Sequence, residues 1–218
     1  MVETIRITDV ASLIRAAQIA NDFFKEGFCW WRGEGCIRDT WDLTPKIYRQ
    51  SFNEQKLALA FLNRAQVRYP KCPDRENWPS WLFLMQHYGL ATRLLDWTES
   101  PLTALYFSVN EETDPNDNGN LWCLQPCRLN LKSGLKEVAS PQEENVFELC
   151  WDVFGQERPS AQQILAVMAD HFDIRHLVQS AAFTIHGLSQ PLNEYAQDQN
   201  CLLQFEVLQA RNLTYATN

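Results

Sequence analysis

Gln86-His87-Tyr88-Gly89-Leu90-Ala91-Thr92-Arg93-Leu94-Leu95-Asp96-Trp97-Thr98 is the stretch from which the rest of this chain is read. Upstream, Asn77 is a helix N-cap, Trp81, Leu84, Met85 and Tyr88 form an apolar stripe, and Gly89 supplies the stop. Downstream, Ser100-Pro101 is an N-cap and first-turn pair for a helix bearing Leu102, Leu105, Tyr106 and Val109. Between those helices, and including Glu99, lie a histidine, a tyrosine, an arginine, two acids, two threonine hydroxyls and a tryptophan. A solvated loop has no use for so many hydrogen-bonding groups. They form either a site or a clamp. As a site, His87 or Tyr88 would contact a ribose or stack on a ring, and Arg93 would hold a phosphate. As a clamp, Arg93 and Asp96 would be a buried pair, Thr92 and Thr98 would cap neighbouring backbone, and Trp97 would pack.

Before this block, Val10, Leu13, Ile14, Ala17 and Phe24 recur at helical spacing from an N-cap at Thr8 or Asp9 to a stop at Gly27. Phe28-Cys29-Trp30-Trp31-Arg32-Gly33 is an aromatic run of strand character. Its arginine can present a planar fork to a phosphate or carboxylate that has come close to the backbone at Gly33. The competing reading is a core arginine paired with an acid such as Asp96. A second helix runs from Glu54 to Tyr69 and ends at Pro70. After the block, residues 111–120 read as a surface loop, Leu121–Leu124 as a strand, Ser160 as the start of a helix with Ile164, Leu165 and Met168 inward, and Phe183–His186 as a strand closed by Gly187. In the last segment, Leu203, Phe205 and Val207 alternate as in a strand, while Leu203 and Val207 also lie one helical turn apart.

The chain has 218 residues and a net charge of −8. That balance disfavours holding a nucleic-acid duplex through phosphate neutralisation. No run reaches the length of a membrane span and the N-terminus lacks the apolar core of a signal peptide, so a cytoplasmic protein is expected. Seven cysteines without a Cys-x-x-Cys pair, and histidines 87, 171, 176 and 186 without metal-ligand spacing, predict no disulfide framework and no metal. P-loop, dinucleotide-binding and serine-hydrolase motifs are absent. The outlying feature is the aromatic content, 8 Trp, 12 Phe and 6 Tyr. Trp81, Phe61, Tyr106 and Phe107 fall on helical stripes and are assigned to packing, whereas Trp31, Tyr88, Trp97 and Phe183 lie in or beside motifs and are expected to border a cleft for a flat ligand.

Together, Trp31-Arg32-Gly33, Leu43-Thr44-Pro45-Lys46-Ile47-Tyr48-Arg49, the block from Gln86 to Thr98 with Ala104–Phe107 after it, and Arg175, Gln179 and Phe183 resemble the FRG domain of bacteria and phages. Trp31 stands where that family has Phe or Tyr, Ala91 where proline is usual and Ala181 where glycine is usual. The resemblance implies that Cys201–Thr217 is a helix and that the chain is clipped just before a final aromatic anchor. The order of motifs is similar to the three-part layout of ADP-ribosyltransferase-like folds, which implies NAD as substrate. Arg32, His87, Thr92 and Gln179 would then be the catalytic set, and Trp31, Gly33, Tyr88, Arg93, Asp96, Trp97 and Phe183 would bind ligand. The expected architecture is a single α+β domain with a small mixed or antiparallel sheet flanked by helices, residues 1–27 forming an N-terminal helix and 28–218 the core. The expected function is an ADP-ribosyltransferase-like, NAD-handling domain, a candidate toxin or defence effector acting on a protein or nucleic-acid target. The alternative is a non-catalytic module that recognises a nucleotide, base or peptide in the same pocket.

Overall fold

Asp9 opens the first helix with a capping box: its side chain accepts from the Ser12 N–H, and the Ser12 hydroxyl accepts from the Asp9 N–H. The computed structural model describes residues 6–25, 27–35, 43–69, 72–110, 118–155, 159–168 and 181–208. Its strands are β1 (Arg6–Ile7), β2 (Trp30–Glu34), β3 (Leu94–Thr98), β4 (Gly119–Leu124), β5 (Ile164–Met168), β6 (Ala181–His186) and β7 (Leu202–Val207). The longer helices are α1 (Val10–Phe24), α3 (Glu54–Arg68), α4 (Trp78–His87) and α5 (Pro101–Asn110). Short helices α2 (Lys46–Arg49), α6 (Pro126–Leu131), α7 (Glu144–Glu148) and α8 (Leu192–Tyr195) lie in the connections. The strands form one seven-stranded mixed sheet in the order β1-β7-β4-β2-β3-β6-β5, antiparallel except for the β1–β7 pair. The chain is thus of the expected α+β class, with a larger sheet than anticipated.

Alternation along the strands sorts the core onto two faces. On one face, Trp31, Leu121, Cys123, Phe205 and Val207 pack under α1 and α5, and Leu94, Leu165, Val167, Phe183 and Ile185 pack under α3 and α4. On the other face, Trp30, Leu95, Trp97, Trp122, Leu124, Ile164 and Ala166 meet Leu129 of α6 and Leu192 and Tyr195 of α8. A glycine sets how closely α5 can lie. A Cβ on Gly33 would stand 1.8 Å from the Ala104 carbonyl oxygen and 2.7 Å from the Ser108 nitrogen, so the helix backbone rests directly on β2.

Several expectations are corrected. Residues 164–168 are a strand rather than part of a helix opened by Ser160; helices cover both faces there, so Ile164 to Val167 are all buried and show no alternation. Leu202–Val207 is a strand as well, because Leu203, Phe205 and Val207 turn to the α1 side while Gln204 and Glu206 turn away. Residues 209–218, the rest of the predicted C-terminal helix, lie outside the described residues. On α5 the buried positions are Ala104 and Ser108, the two that meet Gly33. Leu102, Tyr106, Phe107 and Val109 are exposed, so packing does not account for Tyr106 and Phe107. Among the described residues, no helix is long and apolar enough to cross a membrane, and no cluster of His, Cys, Asp and Glu could hold a metal.

Candidate functional site

Strand alternation divides Trp31-Arg32-Gly33 between the two faces. Trp31 is buried against Phe205, their ring centroids 6.1 Å apart, and Gly33 lies under α5. The close approach that Gly33 permits is therefore that of a helix rather than a ligand. Arg32 alone turns to the other face. There Trp122 is its registered partner on β4, and counting from the Trp31–Thr98 pair puts Trp97 level with it on β3. An arginine between two indoles is the centre of the candidate site.

The sheet is weakest beside this arginine. β2 and β3 share a single registered pair, Trp31 with Thr98, whereas β2–β4 and β3–β6 each share five. Beyond that pair the Arg32 side chain bridges the split, with Nη1 donating to the Asp96 carbonyl oxygen at 2.9 Å. Its Nε is 3.2 Å from Glu34 Oε1, and the Trp122 indole N–H donates to Glu34 Oε2 at 3.2 Å. Arg32 therefore pairs with the Glu34 carboxylate and the Asp96 backbone, not with the Asp96 side chain. Its Nη2 has no acceptor among the described residues.

Further along the same face, Trp97 Nε1 donates to Thr184 Oγ1 at 3.2 Å, and that hydroxyl is 3.0 Å from His186 Nε2. The assignment that satisfies all three groups has Thr184 donating to Nε2, which puts the imidazole proton on Nδ1. Nδ1 has no partner among the described residues, and neither has the amide nitrogen of Asn120, the residue opposite Glu34 on β4. Burial and the positive fields of Arg32 and Arg93 push the His186 pKa down to about 3, so the ring is neutral. Among the described residues, Arg32, His186 and Asn120 thus carry unpartnered donors on one face of the sheet, the last two on side chains buried from solvent. An unpartnered buried donor costs roughly 1–3 kcal/mol, which a ligand oxygen would offset.

The block from Gln86 to Thr98 behaves differently. Arg93 is buried, and its five guanidinium N–H groups meet Glu54 Oε2 (from both Nε and Nη2), the Leu149 carbonyl, Ser160 Oγ and Asp152 Oδ1 at 2.7–3.0 Å. Its backbone N–H donates to Glu54 Oε1 at 2.9 Å. Burial alone would lower the Arg93 pKa, but Glu54, Tyr48 and Asp152 more than offset this and hold it above the ordinary value. With every donor engaged, Arg93 is not placed to bind a phosphate. The clamp reading is correct in kind but not in partner, since Asp96 is exposed and accepts from Gln86 Nε2 at 2.7 Å. Thr92 is buried and donates to Gln86 Oε1 at 2.5 Å. His87 and Tyr88 lie at the end of α4, which covers the face opposite Arg32, and the Tyr88 ring packs with Phe61 and Tyr69. Phe183 stacks on Phe83 at 5.0 Å in the α4 core, and Gln179 lies outside the described residues. Of the rings expected at a cleft, Trp97 alone shares a face with Arg32.

Sequence reasoning missed Glu34, Asn120, Trp122, Thr184 and His186. The signal for Glu34 was present, because a residue two positions from Arg32 on a strand shares its face. No curated protein and no solved structure matches the chain. Residues 28–117 match the family model of the FRG domain, a segment that runs from the approach to β2 past the end of α5 and contains both Arg32 and the Arg93 clamp. The chain carries an FRG domain.

Proposed function

We propose that this is an ADP-ribosyltransferase-like domain that handles NAD, with the dinucleotide lying across the split between β2 and β3 against Arg32. The observation that carries the reading is this split, with Arg32 and its two indoles beside it. The strands of the three sequence blocks (β2 with Arg32, β3 after Arg93, and β6 with Phe183) are consecutive neighbours in the sheet. Where two strands part, their backbone groups are open to the edge of a flat ligand. A guanidinium there supplies a fork for the pyrophosphate, the flanking indoles supply apolar walls, and Asn120 and His186 add donors for ribose or phosphate oxygens. This is a smaller machinery than the sequence suggested, since Thr92 and Arg93 are engaged by Gln86 and Glu54 and His87 lies at the end of α4, on the opposite face.

The test is the melting temperature of the whole protein with and without NAD. NAD is expected to raise it, and Arg32→Ala to abolish the shift while the unliganded protein stays folded. The absence of a shift with wild type at millimolar NAD, together with no NAD consumed in the presence of cell extract, would refute the reading.

A further inference from the structure

We propose that Glu34 is the catalytic carboxylate of this site, the fixed charge that stabilises the cation formed when NAD is cleaved. The inference rests on the NAD-handling reading above. In that reaction the bond between ribose C1′ and the nicotinamide nitrogen breaks and its electron pair moves to the pyridinium ring, so nicotinamide leaves neutral and needs no proton. Positive charge develops on C1′ and the ribose ring oxygen. A water molecule or an acceptor side chain then forms the new bond to C1′ and gives up its proton to solvent. The step therefore calls for a fixed negative charge rather than a general acid.

Gln179, the late residue that the family resemblance puts in this role, carries no charge. The neighbouring strands narrow the choice of an acid. The Asp96 carboxylate lies on the opposite face from Arg32 and is bound to Gln86. Glu206 shares the face but is held at the far edge of the sheet by Arg6 at 2.9 Å and Asn118 at 2.6 Å. Glu34 is on β2 itself, two residues from Arg32 on the same face, with a side chain only 15% exposed. Its two oxygens accept from Arg32 Nε and Trp122 Nε1, so the carboxylate is held in one orientation beside the split. A charge fixed before the reaction needs no reorganisation as the cation forms, which is the condition under which electrostatic stabilisation is effective. The same short strand thus supplies the cation that holds phosphate and the anion that faces ribose.

The experiment uses the full chain and two readouts, nicotinamide release followed by chromatography and the NAD-induced shift in melting temperature. Glu34→Gln keeps the size and one acceptor oxygen of the side chain. It is expected to retain the NAD-induced shift and a KM within about threefold of wild type, and to lose roughly 100-fold or more in kcat, the size expected for removing one electrostatic stabiliser. Glu34→Asp, which moves the charge without removing it, is expected to fall between the two and serves also if the glutamine variant fails to fold. A merely structural Glu34 would instead lower the unliganded melting temperature and weaken NAD binding in step with activity. Turnover by Glu34→Gln within threefold of wild type overturns the assignment while leaving the NAD reading intact. Wild-type protein that neither binds nor cleaves NAD overturns both, and wild type that binds without cleaving overturns the catalytic role.

Discussion

Replacing Arg93 with alanine tests whether the polar block is a clamp. The substitution leaves the Glu54 carboxylate, itself 8% exposed, facing a void and without its two charge-assisted contacts to the guanidinium, keeping only the backbone N–H of residue 93. It also strips the Leu149 carbonyl of its side-chain donor and leaves the Ser160 hydroxyl with its bond to Asp152 alone. Breaking one side of a buried ion pair costs about 3–5 kcal/mol. For a domain of this size each kcal/mol moves the melting temperature by roughly 2–4 °C, so the variant is expected to melt roughly 6–20 °C lower. Arg32→Ala provides the contrast: it removes one ion pair and one backbone contact from an 18% exposed side chain, for about 1–2 kcal/mol. Urea unfolding of both variants measures the difference, and Arg93→Met combined with Glu54→Leu measures the coupling. Removing both charges together should be less damaging than the sum of the single changes by about 0.5–3 kcal/mol. An Arg93→Ala variant within about 1 kcal/mol of wild type, or less damaging than Arg32→Ala, would refute the division into clamp and site.

Two further perturbations follow from the same geometry. Gly33→Ala forces a methyl group to within 1.8 Å of a helix backbone oxygen, so α5 must lift off β2 at a cost of about 3 kcal/mol or more, the top of the range for overpacking. Gly89→Ala meets open space at φ +78° and should cost only about 1–2 kcal/mol of backbone strain; equal destabilisation in urea would count against the close contact. His186 titrates near 6.5 when unfolded but at about 3 in the folded protein, so on acidification the unfolded chain takes up a proton that the native state refuses. Its contribution to stability is complete above pH 6.5 and is lost as pH falls towards 3, with a limiting slope of about 1.4 kcal/mol per pH unit. His186→Gln should remove that slope from the difference between the two proteins measured from pH 7 to pH 4.5, and parallel curves would contradict a neutral buried ring.

The helices were legible where a cap and a stop bracketed an apolar run, although the stripe of α1 is shifted from the expected one: Val10 and Ile14 are exposed, and Leu13, Ala16, Ala20 and Phe24 are buried. Asp9 to Phe24, Asn53 to Arg68 and Asn77 to His87 each have a side-chain N-cap, and α4 ends at a glycine in the left-handed region. Of the strands expected as helix, 202–207 has a local pattern that fits both periods, while 164–168 is apolar throughout and shows no alternation; there the sheet's neighbours decide, and no window of a dozen residues contains them. The sequence block dense in hydrogen-bonding groups did announce an unusual environment. It could not say that the partner of Arg93 is Glu54, because that contact joins residues 39 positions apart.

The same reasoning explains why the candidate site was read too large. Sequence proximity groups Trp31, Arg32 and Gly33 into one motif, and Gln86 to Thr98 into another, but a pleated strand sends neighbours to opposite sides of the sheet. Trp31 and Gly33 must face the helices for α5 to lie on β2, and this fixes Arg32 and Glu34 on the other side. The polar block, in turn, begins on a helix of the first face and enters β3 through Arg93, whose donors are all consumed in joining Glu54 of α3 to Leu149, Asp152 and Ser160. What remains at the split is therefore selected by parity: Arg32 and Glu34 from β2, Trp97 from β3, Trp122 and Asn120 from β4, Thr184 and His186 from β6. Of these, Arg32 and Trp97 were expected at a site on chemical grounds, Glu34 follows from Arg32 by the two-residue period of a strand, and the other four come into view only when the register of the four strands is known.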